Sequence, residues 1–413
     1  MQSIVGEAIT ITTDKELFLQ STQPKINYSN ERISADEYFI KSHGLLSQNY
    51  ISVLVIDVAN CRNLPCFFTN ESDDHGFDVL AATFYLISRY EEYLPHEKDN
   101  YGRYSHTNSL ANKHNFLHLP LVNFWLQDFK ERLSTGNYQL STINSFKFTP
   151  TYDIDIAYAY QNQPLYKNVG GFFKDLIKGD FEKITERANV YTNQQKDPFD
   201  NFGWLYELHE KYKLRPKYFF LLAEKRSAYD KNNSPKYSGI KQLLQQHSKK
   251  YEVGIHPSWQ SGDDKKLLKK EIKQLEKNTN NNCKLSRQHY LRFTLPETYR
   301  RLINEGIEQD FSMGYGAVNG FRASVASPFF WYDLQKDKET ALLLRPFCFM
   351  DATCIFNQQQ SASEAGQELQ QYYDLVKAVN GELITIFHNH FLTQQPQFIA
   401  WRNMYEGFLS MNK

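Results

Sequence analysis

The first third of the chain alternates short apolar runs with polar turns, a pattern typical of a small α+β region. Residues 8–12 and 51–58 are rich in β-branched side chains and predict short strands. Residues 79–94 repeat apolar side chains at helical spacing and predict a helix. The polar, turn-rich residues 134–145 end this region, so we predict a smaller N-terminal α+β domain over residues 1–145.

From residue 146 onward, strand-like runs alternate with amphipathic helical patterns. Within residues 263–277, Leu268, Ile272 and Leu275 recur at i, i+4 and i+7 among lysines and glutamates, which predicts a helix with one buried face. This alternation over residues 146–413 predicts a parallel α/β fold, with a barrel favoured over an open sheet. The predicted strands lie at residues 146–157, 217–222, 251–256, 306–311, 343–350 and 382–388.

The composition excludes several classes of protein. Hydrophobic residues make up 41% of the chain, enough for a large core. The 47 basic and 47 acidic residues cancel, so the overall charge gives no electrostatic argument for a nucleic-acid-binding or membrane-surface protein. No stretch approaches about 18 consecutive apolar residues, and we expect no membrane span. The N-terminal segment lacks signal-peptide features and the five cysteines form no Cys-x-x-Cys pair, so we expect reduced thiols in a cytoplasmic protein.

Asp153 and Asp155 are the first candidates for chemistry. Strict alternation around them places both carboxylates on one face of a strand, with the apolar neighbours on the other face. Two adjacent carboxylates repel each other unless a cation lies between them, so the pattern indicates a metal ligand beside a general base. The structural alternative is an exposed edge strand with two solvated acids, which the apolar flanking residues disfavour.

Histidines end or follow the other strand-like runs. His256 ends one apolar run and His388 another, while Arg287 and His289 alternate onto one face of a short segment. Parallel barrels carry their active sites at the C-terminal ends of the strands, so we expect these side chains to converge. Taken singly, each could instead be a satisfied structural residue. We interpret His390 as an exposed loop histidine.

The order of these motifs resembles the polysaccharide deacetylases of carbohydrate esterase family 4, the NodB-homology hydrolases. The resemblance covers residues 146–413 and implies a distorted seven-stranded (β/α) barrel. It is nearest to a divergent bacterial branch with an additional N-terminal domain. The motifs are Asp-x-Asp, Gly-Ile-His-Pro-Ser, Arg-x-His and Ile-x-His, at residues 153–155, 254–258, 287–289 and 386–388.

The resemblance implies a role for each matching residue. Asp153 corresponds to the general base and Asp155 to a metal ligand, although one residue separates two acids that are adjacent in the commoner motif. His256 corresponds to a second ligand. The family's next histidine in that motif is replaced by Gln260, and His289 is therefore the predicted third ligand.

Further roles follow from the same resemblance. Arg287 is expected to orient the base, His388 to act as the general acid, and Asp310 to support that histidine. Sugar substrates also favour aromatic platforms and hydrogen-bonding groups. The predicted substrate-binding residues are Trp259, Tyr315 and Arg322.

These inferences together predict a cytoplasmic, metal-dependent hydrolase that removes acetyl groups from an N-acetylated glycan or glycan precursor. One divalent ion, predicted to be Zn²⁺, is the expected cofactor, and an acetylated carbohydrate rather than a nucleic acid is the expected partner. Two alternatives stay open. One is an amidohydrolase-type enzyme acting on a small molecule, and the other is an inactive glycan-binding pseudoenzyme, which the missing histidine at Gln260 favours.

Overall fold

The computed structural model describes residues 10–134 and 145–412. Residues 10–134 form two small sheets and four α-helices. Strands β1 (Ile26–Ser29) and β2 (Tyr38–Lys41) pair in parallel, and β3 (Ala59–Cys61) and β4 (Leu64–Cys66) form an antiparallel hairpin. The helices are α1 (Lys15–Gln20), α2 (Val79–Ile87), α3 (Leu110–Lys113) and α4 (Leu121–Ser134).

The strand predictions for this region are wrong wherever the structure describes them. Residues 51–58 are irregular backbone, with Val53 and Val55 exposed, because no neighbouring strand pairs with this segment. Residues 10–12 are also irregular, and the rest of that predicted strand lies outside the described residues. The same holds for residues 135–144, which make up most of the predicted domain boundary.

The helix predicted at residues 79–94 forms but is shorter. It ends at Ile87, and Arg89 then adopts a left-handed backbone conformation with φ 57°. A 3₁₀ turn at Tyr90–Tyr93 follows. This turn carries two buried glutamates, Glu91 and Glu92.

A disulfide joins Cys61 and Cys66 across the β3–β4 hairpin, so the prediction of reduced thiols is wrong for this pair. The other three cysteines, Cys283, Cys348 and Cys354, are buried free thiols. Hairpin pairing brings the two together, which the sequence spacing alone does not reveal. Because disulfides persist mainly in oxidising compartments, this bond counts against the predicted cytoplasmic location.

Residues 145–412 form one mixed α/β unit around a sheet of nine strands. The strands are β5 (Lys147–Ile154), β6 (Lys217–Leu221), β7 (Glu252–His256), β8 (Leu285–Ser286), β9 (Gln309–Asp310), β10 (Phe329–Asp333), β11 (Lys338–Leu344), β12 (Phe349–Met350) and β13 (Glu382–His388). Across the sheet their order is β10, β11, β9, β8, β7, β6, β5, β13, β12, and every neighbouring pair is parallel except β10 with β11.

Helices connect these strands, as the alternating pattern predicts. The helix predicted at residues 263–277 is confirmed as α9, with Leu268, Ile272 and Leu275 buried. Among the described residues, no helix has both the length and the apolar character needed to cross a membrane. The helices are α5 (Leu165–Ile177), α6 (Phe181–Tyr191), α7 (Phe202–Lys211), α8 (Ser238–Ser248), α9 (Lys265–Thr279), α10 (Glu297–Asn304), α11 (Ala362–Ala378) and α12 (Ile399–Met411).

The sheet places the C-terminal ends of its central strands side by side. His388 lies beside Asp153 in the strand register. Ile255, which precedes His256, lies beside Ser286, which precedes Arg287. The predicted site residues therefore meet where the strands end, at the C-terminal edge of the sheet. Close packing supports this arrangement, because a Cβ at Gly254 would lie 2.8 Å from the carbonyl oxygen of Leu285. No pairing between described strands joins β10 to β12, and the predicted seven-stranded barrel stays a prediction.

Buried charges link the N-terminal region to the rest of the molecule. Arg322, in the segment after β9, donates from Nε and Nη2 to the two carboxylate oxygens of Glu92 at 2.8 and 2.6 Å. Arg89 donates to Glu92 at 2.7 Å and to Glu91 at 2.9 Å. All four side chains are buried. We call Arg89, Glu91, Glu92 and Arg322 the arginine–glutamate cluster.

Candidate metal centre

Successive side chains at the end of β5 point to opposite faces of the sheet, and the two faces differ in their surroundings. Tyr152 faces a buried group of polar aromatic side chains, where its hydroxyl contacts His209 Nε2 at 2.8 Å and the hydroxyl of Tyr405 at 2.5 Å. Asp153 and Asp155 point the other way, toward the strand ends. Asp153 is 2% exposed, so its carboxylate is desolvated. The exposed edge-strand alternative therefore does not apply.

Arg287 holds the buried carboxylate of Asp153. Its Nη1 donates to Asp153 Oδ1 at 2.9 Å and to Thr151 Oγ1 at 2.7 Å, while Nε donates to the carbonyl oxygen of Phe311 at 3.0 Å. The guanidinium also lies 4.5 Å from the ring centre of Phe219. Burial lowers the pKa of Arg287, whereas Asp153 raises it. The ion pair fixes Asp153 in one orientation and leaves Oδ2 directed toward the histidines.

Asp155, His256 and His289 form the candidate ion-binding site. Their ligand atoms all lie within 4.8 Å of one another. His256 Nε2 is 3.3 Å from Asp155 Oδ1, and His289 Nε2 is 3.7 Å from Asp155 Oδ2. We call these three residues the histidine–aspartate centre. One carboxylate and two imidazoles are a ligand set that Zn²⁺ and related divalent ions accept.

The hydrogen bonds of the two rings direct their Nε2 atoms to this point. His256 Nδ1 donates to the carbonyl oxygen of Arg287 at 2.5 Å, and His289 Nδ1 donates to Asp230 Oδ1 at 3.0 Å. In a neutral imidazole with Nδ1 protonated, Nε2 carries a lone pair. Such second partners of ligating histidines are common at metal sites because they fix tautomer and orientation.

Asp155 Oδ1 is buried and makes no hydrogen bond with any described residue, although His256 Nε2 is only 3.3 Å away. A carboxylate oxygen facing the lone pair of an imidazole is unfavourable unless a cation lies between them. Burial alone would raise the pKa of Asp155, but His289, His256 and His388 hold it well below its ordinary value. Positive charge, on a protonated ring or on a bound cation, therefore stabilises the ionised Asp155.

His289 already supplies positive charge to Asp155. Burial alone would lower the pKa of His289, but Asp155 and Asp230 raise it to about 9. Ligation needs the neutral imidazole, so binding of a divalent ion would release this proton.

His388 sits on the neighbouring strand and faces the same point. Its Nε2 lies 3.7 Å from Asp155 Oδ2, and its Nδ1 donates to Asp351 Oδ1 at 2.6 Å. The backbone amide of His388 also donates to Asp351 Oδ2 at 2.7 Å. Burial alone would lower the pKa of His388, but Asp351 raises it to about 9.

The prediction that Asp310 supports His388 is wrong. Asp310 ends β9 and accepts hydrogen bonds from Ser286 Oγ at 2.7 Å and from the amide of Ser312 at 2.9 Å. Burial raises its pKa. Asp351 holds the supporting position because it directly follows β12, the strand that pairs with the strand of His388.

Two of the predicted substrate-binding residues are also misplaced. Arg322 is 2% exposed and belongs to the arginine–glutamate cluster, paired with Glu92. Tyr315 is 3% exposed, and its hydroxyl accepts a hydrogen bond from Arg89 Nη2 at 3.3 Å. Both side chains therefore connect the two regions of the chain, and neither has surface free for a ligand.

Trp259 lies beside the histidine–aspartate centre in a group of partly exposed aromatic rings. It stacks on Tyr229 with ring centres 3.9 Å apart and meets Tyr290 edge-on at 5.6 Å. Tyr101, from the N-terminal region, stacks on Tyr290 at 5.2 Å. Tyr290 in turn directly follows His289. We call Tyr101, Tyr229, Trp259 and Tyr290 the aromatic platform.

His390 is not the exposed loop histidine that the sequence indicates. It is half-buried against Phe391, His388 and Phe199, at ring-centre distances of 4.1, 5.4 and 5.7 Å. Burial and the neighbouring His388 lower its pKa to about 3. A neutral His390 thus packs behind His388 and lies outside the candidate ligand set.

Sequence reasoning missed two acids that orient the histidines. Asp351 had a usable signal, because it follows an apolar run as the other site residues do. Asp230 had none, since it lies in a long polar loop between β6 and α8. Sequence reasoning also missed Tyr101 and Tyr229, because aromatic residues are common throughout the chain and a single tyrosine is no signal of a binding site.

Comparisons with known proteins give a family match for the N-terminal region and distant structural similarities. Residues 1–137 match a family of unknown function, DUF7033, and no curated protein matches the sequence. The chain is similar to a protein of Mycobacterium smegmatis provisionally assigned as a polysaccharide deacetylase, at 11% identity over 67% of this chain and 87% of that one, with TM-score 0.41.

Two further solved structures are also similar to parts of the chain. A polysaccharide deacetylase of Bacillus cereus matches at 10% identity, over 65% of this chain and 88% of that one, with TM-score 0.32. A pseudoenzyme of carbohydrate esterase family 4 from Bacillus anthracis matches at 10% identity, over 52% and 58%, with TM-score 0.30. The structural neighbours thus include polysaccharide deacetylases at low sequence identity. Likeness at this level does not establish an activity, which the site itself must support.

Proposed function

We propose that this protein is a metal-dependent hydrolase that removes acetyl groups from an N-acetylated glycan or glycan precursor. The observation that carries the proposal is the convergence on Asp155 of three histidine Nε2 atoms, those of His256, His289 and His388, at 3.3 to 3.7 Å. A carboxylate and two imidazoles that face each other without hydrogen bonds fit a bound cation better than they fit any structural role.

Asp155, His256 and His289 would hold the ion, and Zn²⁺ is the ion that we propose. When bound, such an ion lowers the pKa of a coordinated water and polarises a carbonyl group. His289 fills the place left by the absent histidine at Gln260, whose side chain is exposed. The gap in the motif is therefore compensated, which weakens the case for a pseudoenzyme.

Asp153 is suited to accept a proton from water. Arg287 and the strand fix its carboxylate, and Oδ2 lies 3.7 Å from His256 Nε2, at the rim of the proposed ion site. A base that is held in place by a guanidinium can take a proton without reorganising.

His388 is suited to donate a proton to the leaving amine. Asp351 accepts from its Nδ1 at 2.6 Å, which favours the imidazolium and points Nε2 into the site. Base and acid therefore lie side by side on adjacent strands, since His388 pairs with Asp153 in the register of β13 and β5. This arrangement fits hydrolysis of an amide, whose leaving nitrogen must be protonated.

The aromatic platform supports a saccharide as the substrate. Half-buried Tyr and Trp rings offer flat apolar faces with polar edges, which suit the faces and hydroxyl groups of sugar rings. Trp259 keeps its predicted role here. Because Tyr101 belongs to the N-terminal region, we propose that this region forms one wall of the substrate cleft.

Acetate release from N-acetylated chito-oligosaccharides, with Zn²⁺ supplied, tests the proposal. Asp153→Asn and His388→Ala should each slow release by about 10²- to 10⁴-fold. Each variant leaves a buried partner, Arg287 or Asp351, without its ion pair and should lower the melting temperature, so release is compared at a temperature at which circular dichroism shows that the variants are folded. The exposed residues Asp57 and His114 provide matched controls, and Asp57→Asn and His114→Ala should keep full activity.

Three results would count against this function. Wild-type rates in Asp153→Asn and His388→Ala would remove the proposed acid and base. Metal and glycan binding without acetate release would favour the pseudoenzyme. Hydrolysis of small amides alone would favour the amidohydrolase-type alternative.

A further inference from the structure

Helix α5 turns its apolar side toward solvent. Six of its side chains form one stripe along the helix, with exposed fractions from 38% to 86%. Phe181, at the start of α6, extends the stripe and is 66% exposed. Helices on protein surfaces usually bury this side against the core. The stripe consists of Tyr166, Val169, Phe172, Phe173, Leu176 and Ile177.

The polar side of α5 is the side that packs against the protein. Asn168 and Asp175 are only 6% and 8% exposed. Arg187 of α6 donates to Asp175 at 2.7 Å and to Asn168 at 3.3 Å, and Asn168 donates to the carbonyl oxygen of Tyr160 at 3.1 Å. Gly171 allows this approach, since a Cβ there would lie 2.6 Å from Arg187 Nη2.

These polar contacts fix the orientation of the helix. Rotating α5 to bury its stripe would break the Arg187–Asp175 ion pair and leave the largely buried Arg187 without its carboxylate. The outward stripe is therefore built into the fold. An apolar surface of this extent, on a helix held by specific polar contacts, calls for an external partner.

The charges of α5 identify the chemistry of that partner. Lys167, Lys174 and Lys178 are exposed and lie at i, i+7 and i+11, on one row of the helix surface. Lys174 neighbours the stripe directly, three residues before Ile177. Asp175 is the acid of this helix and is buried in its ion pair. The exposed surface of α5 is thus apolar and cationic, with no exposed carboxylate.

We propose that this face of α5 docks on the surface of a lipid bilayer that contains anionic headgroups. The aromatic and aliphatic side chains would enter the boundary between headgroups and acyl chains, and the lysines would reach anionic phosphates beside it. A second copy of the chain fits less well, because two stripes packed face to face bring two lysine rows together. The zero net charge of the whole chain does not oppose docking, since the field that matters is local.

In the chain, α5 follows the strand end that carries Asp153 and Asp155. This inference does not depend on the proposed deacetylase activity.

Flotation of the full chain with vesicles tests the proposal. The protein should bind vesicles of mixed phosphatidylcholine and phosphatidylglycerol, and bind less to phosphatidylcholine alone or at high salt. The double variant Phe173→Ser/Ile177→Ser should bind at least about 10-fold more weakly. Replacing Lys167, Lys174 and Lys178 by Gln should lose about five-fold per lysine, on anionic vesicles only.

A matched control separates docking from general stickiness. Phe330 on β10 is 49% exposed, comparable with Phe173 at 55%, and Phe330→Ser should bind like wild type. Unchanged melting temperatures should show that all variants are folded. No binding of wild type to either vesicle would overturn the proposal, as would full binding by the Phe173→Ser/Ile177→Ser variant. A concentration-dependent dimer that this variant abolishes would instead identify a second copy as the occupant.

Discussion

The arginine–glutamate cluster and the histidine–aspartate centre are both buried and both charged, but their charges are satisfied differently. In the cluster, Arg322 and Glu92 meet through two parallel hydrogen bonds, at 2.8 and 2.6 Å, and Arg89 completes the set. In the centre, Asp155 lies 3.3 to 3.7 Å from its neighbours, and its Oδ1 makes no hydrogen bond with described residues.

This difference separates a structural role from a binding role. Bidentate pairing and the further hydrogen bonds of the two arginines leave no buried polar atom of the cluster without a partner. The aspartate of the centre instead keeps a free oxygen toward rings that can lose their protons, which a guanidinium cannot. A fully paired charge cluster therefore argues for stability, and an incompletely paired one argues for function.

The largest expected effect is the loss of metal from Asp155→Ala. Titration calorimetry with Zn²⁺ should show an affinity reduced by more than the roughly 10- to 100-fold that follows loss of a residue which only orients a ligand. The free energy of unfolding of the metal-free protein should fall by less than in Glu92→Gln, because His289 and His388 keep Asp230 and Asp351 as partners. Wild-type Zn²⁺ affinity in this variant would contradict the assignment.

Glu92→Gln should give the reverse result. It leaves the buried guanidinium of Arg322 without its carboxylate, while Arg89 keeps Glu91. The free energy of unfolding should fall by about 3–5 kcal/mol, with Zn²⁺ affinity unchanged in the folded protein. Denaturant unfolding measures the loss. Glu308→Gln is the matched control, since Glu308 pairs at 2.7 Å with Lys284 on the surface, where both are more than half exposed. That change should cost less than about 1 kcal/mol.

The pH dependence of stability should sharpen the comparison. Burial alone would raise the pKa of Glu92, but Arg322 and Arg89 hold it at about 2, below its ordinary value of 4.5. Its contribution is complete above pH 4.5 and is lost as the pH falls toward 2, because the unfolded chain takes up the proton first. Up to about 3 kcal/mol should disappear over this interval. Glu92→Gln should remove that part of the pH dependence, and equal slopes in both proteins would contradict it.

Asp230→Ala tests the support of the centre and should have the smallest effect. Removing the acceptor of His289 Nδ1 should weaken Zn²⁺ binding by about 10- to 100-fold. Asp230→Asn should lose less, since an amide oxygen can still accept the hydrogen bond although it lacks the charge. If both variants bind Zn²⁺ as wild type does, Asp230 does not orient the ligand.

Elements with a periodic pattern of apolar side chains could be predicted from the sequence, whereas elements defined by individual tertiary contacts could not. Alternation in β5 separates Asp153 and Asp155 from Tyr152, and helical spacing marks the buried face of α9 with Leu268 and Ile272. Both predictions rest on the period of the apolar side chains, which an element with one buried face shows whatever it packs against. Strands β8, β9 and β12 have two residues each, too short for a periodic pattern, and their neighbours in the sheet define them.

The errors at the site have the same origin. Arg322 and Tyr315 belong to a motif segment, but their role depends on Glu92 and Arg89, more than 200 positions away in the chain. The choice of Asp351 over Asp310 beside His388 depends on which short strand pairs with β13. Such pairings are set by the folded sheet and leave no local mark on the sequence.

One oxygen atom in this protein serves two purposes. Asp230 Oδ1 accepts from His289 Nδ1 at 3.0 Å and from the backbone amide of Trp259 at 2.9 Å. A ring of the proposed ion site and the backbone of one residue of the aromatic platform therefore share one anchor. A substitution of the Trp259 side chain keeps the backbone amide, so substrate choice can be redesigned there without removing a partner of the ion site. A substitution of Asp230, in contrast, would alter the ion site and the position of the Trp259 backbone together.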